Sequence, residues 1–242
     1  MKKVIFAFLC LPCIVQAQTN NLFSVDRVFP KPDKVQLFEK ALVAHEQKYH
    51  KGNWAWEVYT VETGPEAGGY RIVEGPMSWD VYDHRGTLGE AHTNDYTKTI
   101  TPYLTETDKA STSFILFRED LSTAKITDRA DKIAMNHVYP KPGYGEDMED
   151  AIKKLKKVWE ASGQVVGVYE VQASGEFQYL FITLYKQGLK ERERTFRTPM
   201  KERYTTANGE GSWMAYQQSL RNMIDHSWSE MLFYHPELGS KK

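Results

Sequence analysis

Apolar positions recur along this chain with two periods, and the periods predict its elements. Val35, Phe38, Leu42, His45 and Tyr49 share one face of a helix. Met148, Ile152, Leu155 and Trp159 share the face of a second, with Lys153, Lys154, Lys156 and Lys157 turned to water. Asp33, followed three residues later by Gln36, predicts a capping pair for the first helix, and Gly52 and Gly163 predict the two stops. Before each helix stands a short strand, 24–29 or 133–139, closed by a Pro-Lys-Pro that can continue neither a ladder nor a helix. After each helix come two strands, 54–62 with 70–74 and 164–172 with 177–185, joined by turns carrying Gly64-Pro65 and Ser174-Gly175. A more irregular helical region and a last strand, 113–118 or 231–235, complete each set.

The second set repeats the first. Phe29-Pro30-Lys31-Pro32 returns as Tyr139-Pro140-Lys141-Pro142, an offset of 110, and the same offset joins Glu39 to Glu149, Val58-Tyr59 to Val168-Tyr169 and Ile72 to Ile182. Residues 26–73 hold 11 identities in 48 positions at that offset. Average residue usage gives about three, so a duplicated domain is predicted. The offset grows to 117 at Leu121 and Leu238, and the surplus falls in the long charged stretch 191–211. Each copy reads strand–helix–strand–strand–helix–strand, the ferredoxin-like plan. The predicted class is therefore α+β, with ferredoxin-like domains over 18–124 and 125–242 packed as a pseudo-two-fold α+β barrel.

The beginning of the chain has a different character. Lys2 and Lys3, an apolar run from Val4 to Val15 and the small-residue site Val15-Gln16-Ala17 predict a signal peptide over 1–17, and with it a periplasmic or secreted protein. Cys10 and Cys13 both lie in that leader, so the mature chain is expected to have no disulfide, thiolate nucleophile or cysteine-held metal. Setting aside Lys2 and Lys3 moves the formal net charge from −1 to −3, and no basic surplus points to nucleic acid. No second long apolar run follows, so no membrane association is expected after cleavage. A monomer or a homodimer fits equally.

The Pro-Lys-Pro, the amphipathic helix, Trp54-Ala55-Trp56-Glu57-Val58-Tyr59 and, after a glycine turn, Glu74-Gly75-Pro76-Met77-Ser78-Trp79 together resemble the dimeric α+β barrel superfamily. Its members include antibiotic-biosynthesis-type monooxygenases, NIPSNAP-like proteins, chlorite dismutase and dye-decolorising peroxidases. The resemblance covers nearly all of the mature chain as a pattern. It implies two ferredoxin-like sheets packed face to face, here supplied by one chain. It carries over no catalytic residue, because no motif of an enzymatic branch is present.

Strand alternation then assigns faces. With Leu180, Ile182 and Leu184 placed under the helices, Phe177, Tyr179, Phe181, Thr183 and Tyr185 face the barrel interior. With Val28 and Val138 under the helices, Arg27, Phe29, His137 and Tyr139 face inward, joined by Arg71 and by Tyr59 or Glu57. Arg27, His137, Tyr139, Tyr59, Arg71, Tyr179, Phe181 and Tyr185 are the candidate ligand-binding residues. An aromatic-lined pocket for a small apolar or aromatic molecule is one reading; an inter-sheet core with charges at its rim is the other. No catalytic residue is assigned. A cofactor-independent monooxygenase with His137, Arg71 and Tyr59 around its substrate is the enzymatic alternative, and a haem-handling protein using His226 or His137 is another.

No cofactor or metal is expected. His45 and His50 stand five apart on one helix and do not share a face, and neither a His-Glu-x-x-His nor a calcium-loop spacing occurs. No glycine-rich phosphate loop and no Gly-x-Ser-x-Gly elbow occurs either. The alternating charges from Lys190 to Arg203 read as a solvated face or as a docking or anion-binding segment.

Overall fold

The computed structural model describes residues 19–107 and 109–241, so the leader expected over 1–17 lies outside the described residues. Strand β1 (Leu22–Val28) runs into the Pro-Lys-Pro turn and helix α1 (Val35–Tyr49). Strands β2 (Trp56–Val61) and β3 (Tyr70–Met77) follow, then helices α2 (Trp79–His84) and α3 (Gly89–Thr99) and strand β4 (Ser111–Phe117). The sequence of elements begins again with β5 (Lys132–Pro140), α4 (Gly145–Ala161), β6 (Val166–Gln172) and β7 (Tyr179–Leu184). It ends with α5 (Met200–Asn208), α6 (Ser212–Met223) and β8 (Ile224–Tyr234).

The eight strands form a closed antiparallel barrel in the order β1-β3-β2-β8-β5-β7-β6-β4. Strands of the first half stand as β4-β1-β3-β2 and those of the second as β8-β5-β7-β6, and the β2–β8 and β4–β6 ladders close the ring. Among the described residues closure leaves no sheet edge to be covered. No helix among the described residues is long and apolar enough to cross a membrane.

Three apolar clusters follow from that geometry. Inside the barrel lie Phe23, Val25, Val61, Ile115, Met135, Ile182 and Leu232, among others. Outside it, Phe38 and Leu42 of α1 pack on Val58 and Ile72, and Met148, Ile152 and Leu155 of α4 pack on Val166, Val168 and Phe181. Leu42 and Ile152 are wholly buried, each contributing about 1.5–3 kcal/mol of apolar transfer.

Several sequence expectations need correction. Asp33 does not cap α1: Lys34 is the N-cap residue without a side-chain bond, and Asp33 pairs with Lys34 at 3.1 Å. The last strand begins at Ile224, not at 231, because α6 ends at Met223. The larger correction concerns the faces of β7. In the first hairpin Val58 stands opposite Ile72, and in the second Val168 stands opposite Phe181. The offset of 110 that joins Val58 to Val168 has therefore become 109 for β3 and β7. Since side chains alternate, one residue of slip exchanges the two faces. Leu180, Ile182 and Leu184 point into the barrel, and Tyr179 and Phe181 lie under the helices.

Candidate functional site

The inward side chains leave a cavity of about 70 Å³ inside the barrel. Its wall is chiefly aliphatic, with Val25, Val73, Ile115, Ile133, Ile182 and Leu232 prominent, and the β7 aromatics expected to line it, Tyr179 and Phe181, do not, for the reason just given. Tyr59 and Tyr169 also line it. Burial raises the pKa of both hydroxyls, that of Tyr169 to about 12, so both are hydrogen-bond donors and not bases at ordinary pH. Arg129 and Glu57 close one side, with Arg129 Nε donating to Glu57 Oε2 at 2.7 Å.

Arg71 also lines the cavity, and it belongs to a buried chain of charges. Its Nη2 donates to Glu230 Oε1, and it stands 3.5 Å from Glu66 Oε2. Arg27 stands directly across from Arg71 in the β1–β3 ladder. Like charges facing each other across strands repel, and Glu66 answers both: it accepts from Arg27 Nη1 through its other oxygen. Glu230 in turn lies 3.1 Å from His137 Nε2, while His137 Nδ1 meets Gln178 Oε1 at 2.7 Å. The His137 ring stacks on Trp228 at 3.6 Å. Burial alone would raise the Glu230 pKa, but the His137 hydrogen bond and the Arg71 charge outweigh it and hold the carboxyl below its ordinary range. Arg71 Nε and Glu230 Oε2 remain buried without a hydrogen-bond partner.

The structure thus brings Arg27, Arg71 and His137 into one network and places Tyr59 on the adjoining cavity. Tyr139 sits at the barrel end, stacked on His226 at 4.0 Å and accepting from Trp228 Nε1 at 3.4 Å. Tyr179 and Phe181 belong to the packing under α4. Tyr185 lies outside the barrel, where it accepts from Arg192 Nη1 at 3.0 Å at a cleft of about 630 Å³. Arg192, Arg194, Arg197 and Arg203 border that cleft, so the charged stretch walls a depression and does not simply face water. Arg197 and Arg203 are already engaged, the first by Glu191 and the second by Ser162 and Gln164.

Sequence reasoning did not pick out Glu66, Glu230 and Gln178, because glutamates and glutamines on strands and turns read as solvent-facing. It also set aside a cluster that the fold assembles. The argument that His45 and His50 cannot meet assumes that the helix continues, but α1 ends at Tyr49 and His50 leaves it with ψ of 88°. The two rings come within 5.3 Å, and His92 on α3 completes a trio whose ligating nitrogens all lie within 4.8 Å of one another. The Gly52 stop signal two residues beyond His50 was the clue available in the sequence.

No family model matches this chain, and a search of curated proteins finds no match. Solved structures do match. A proposed monooxygenase from Fusobacterium nucleatum superposes with a TM-score of 0.55 at 16% identity, covering 88% of this chain and 91% of the other. An anthrone oxidase-like protein gives 0.53 at 13% identity over 90% and 92%. A proposed monooxygenase from Lactobacillus acidophilus gives 0.51 at 11% over 88% and 93%. The likeness is one of fold. The chain has the ferredoxin-like α+β barrel architecture of these proteins, and identities this low carry no residue roles across.

Proposed function

We propose that this chain is a tandem α+β barrel, built from two copies of a ferredoxin-like unit, that binds a small, mostly apolar molecule carrying one hydrogen-bond acceptor inside the barrel. The observation that carries this reading is Arg71: it lines an apolar cavity and keeps a buried Nε without a partner. A buried donor left unmade costs about 1–3 kcal/mol, and an acceptor in the cavity would remove that cost. Size limits the ligand. A cavity of about 150 Å³ accepts a benzene ring, so one of about 70 Å³ takes a molecule of only a few heavy atoms. The ligand is thus closer to a short ketone, amide or acid than to an aromatic ring. The tandem reading rests on the repeat and on the matching strand orders of the two halves.

The monooxygenase designations of the fold neighbours make oxidation of a bound substrate the second reading. A quinol-sized substrate would have to open the barrel first. The haem alternative does not fit the residues present. His226 is a half-exposed strand residue held by Asp225 and stacked on Tyr139, and both nitrogens of His137 are engaged inside the barrel. Export remains part of the proposal on the strength of the leader pattern, and N-terminal sequencing of the exported protein should find a start near Gln18.

The test is thermal unfolding of the tag-free mature chain against short ketones, amides and carboxylic acids. A ligand present at 100 times its Kd adds about 2.7 kcal/mol to stability. The melting shift should appear with the wild type and vanish in Ile115→Phe, which fills the cavity and spares every charge. No shift with any member of the panel, together with a crystal structure holding only water beside Arg71, would refute the reading. Oxygen uptake with quinols that persists in Ile115→Phe would place any oxidation elsewhere on the molecule.

A further inference from the structure

The first helix layer holds a constellation that the barrel does not use. His45 is buried to 1% exposure between α1 and α3, and its Nε2 has no hydrogen-bond partner. Its Nδ1 is held by Asp95 Oδ2 at 2.7 Å. His50 is equally enclosed, with Nδ1 held by the Trp54 carbonyl at 3.0 Å and its ring stacked on Trp56 at 3.5 Å. Its Nε2 stands 3.2 Å from Nε2 of His92. Both buried rings thus have Nδ1 engaged by an oxygen, which leaves each Nε2 with its lone pair, and one ring nitrogen from each of His45, His50 and His92 lies within 4.8 Å of the others.

That is how metal-binding imidazoles are prepared. A ligating histidine donates its other ring N–H to a carboxylate or a backbone carbonyl, which orients the ring and raises its basicity. Two nitrogens at tetrahedral positions around an ion, each about 2.0–2.1 Å from it, stand about 3.3 Å apart. The His50–His92 separation already matches. The widest separation in the trio, at most 4.8 Å, exceeds that by about 1.5 Å, so an ion draws the rings together by that much, with the half-buried His92 on the exposed helix α3 the ring freest to move. Behind the rings, Glu74 adds a second carboxylate, 3.6 Å from His50 Nδ1. A cleft of about 520 Å³ formed by the α2–α3 connection borders His92 and gives an ion a path from solvent.

We propose that His45, His50 and His92 form a binding site for a first-row divalent transition-metal ion, with three Nε2 ligands and a fourth position left to water or an anion from the cleft. Three neutral imidazoles suit zinc, copper, iron or nickel, and exclude calcium and magnesium, which require oxygen. Without an ion, the orphaned His45 Nε2 has nothing to bond. The site is independent of the barrel cavity, which lies on the other side of the sheet.

The experiment uses the tag-free mature chain, stripped with a chelator and titrated with zinc by calorimetry and with cobalt by visible absorption. One equivalent should bind, and cobalt should give the intense visible bands of a tetrahedral centre. His92→Ala removes a half-exposed ligand and should lower affinity at least about 100-fold with no loss of folding. Asp95→Asn should lower it about 10- to 100-fold, an effect a structural hydrogen bond would not have on ion binding. A wild type that binds neither ion stoichiometrically overturns the assignment. So does binding that survives His92→Ala, which would place the ion on the exposed trio Glu176, Asp225 and His226.

Discussion

Four strands and their helices in the first half of the molecule, and four strands and theirs in the second, are laid out alike and filled differently. Strand pairing fixes which positions correspond. Arg27 faces Arg71 in one half, and His137 faces Leu180 in the other. Val25 faces Ser113, and Met135 faces Glu230. Arg71 therefore has a leucine as its counterpart and Glu230 a serine. On the helix side the same contrast appears, with His45 on α1 at the position that Leu155 holds on α4. Under α4 to α6 the layer is apolar and aromatic, with Tyr204 stacked on Tyr216 at 4.4 Å, whereas under α1 and α3 it carries histidines and carboxylates. The scaffold positions match, and the chemistry stands where the halves disagree. A homodimer of one such unit would repeat every charge by symmetry, but a single chain is free to place an arginine on one side and the glutamate that meets it on the other.

Writing the second half's residue into the first tests this most severely. Arg71→Leu leaves Glu230 facing His137 alone and removes one partner from Glu66. Removing one member of a buried pair strands its partner's charge and costs about 3–5 kcal/mol. The double variant Arg71→Leu with Glu230→Ser gives each position the residue of the other half, removes both members of the pair together and should recover most of that loss. Urea unfolding of the two singles and the double gives the coupling directly. Additive losses would mean that the two residues do not act as a pair, and the contrast drawn between the halves would lose its main support.

The acid limb of stability is a gentler probe of the same pair. The folded pKa of Glu230 lies below its ordinary value because His137 and Arg71 overcome its burial. A depressed carboxylate contributes stability that is present above its unfolded value, about 4.3, and is lost as pH falls through the lower folded value. Wild-type stability should therefore drop as pH is lowered below about 4.3. Glu230→Gln, less stable at neutral pH, should show a shallower drop over the same interval. An unchanged slope in Glu230→Gln would assign the acid limb to other carboxylates, such as Asp120 and Glu149 beside Arg118.

What could be read from the sequence, and what could not, follows the same division. The Pro-Lys-Pro turns and the faces of α1 and α4 were legible because proline and the helical period act locally. So was the strand–helix–strand–strand–helix–strand plan, since each element carries its own period. The face of β7 was not. Tyr179–Leu184 has large buried side chains on both sides of the sheet, so alternation offers only Thr183 to mark a face, and the hairpin register decides. Arg27 and His137 were legible as inward polar groups because Val28 and Val138 mark the other face of β1 and β5, whereas Arg71 reads as inward through its equivalence at the offset of 110 with Phe181, which itself lies under the helices. Their partners were not, since Glu66 arrives from a turn and Glu230 from a strand expected to start one residue later. The histidine trio needs a helix end and a residue 42 positions away, and no local pattern encodes that meeting.

One pair of contacts should behave alike in the two halves. Tyr70 on β3 donates to Glu39 on α1 at 2.7 Å, and Tyr179 on β7, whose hydroxyl pKa is raised chiefly by burial, stands near enough to Glu149 on α4 for that carboxylate to help raise it. Glu39 and Glu149 are identical at the repeat offset of 110, and the tyrosines correspond at the 109 imposed by the hairpin register. Each contact links a strand to the helix that covers it, and each glutamate is half-buried, so water still competes for its oxygens. Tyr70→Phe and Tyr179→Phe should therefore each cost about 0.5–1.5 kcal/mol in urea unfolding, within a few tenths of each other and with unchanged m-values. Unequal losses would show that the two halves are not energetically alike even where their residues agree. The difference between the halves would then reach into the scaffold, and not only into the positions that carry charge.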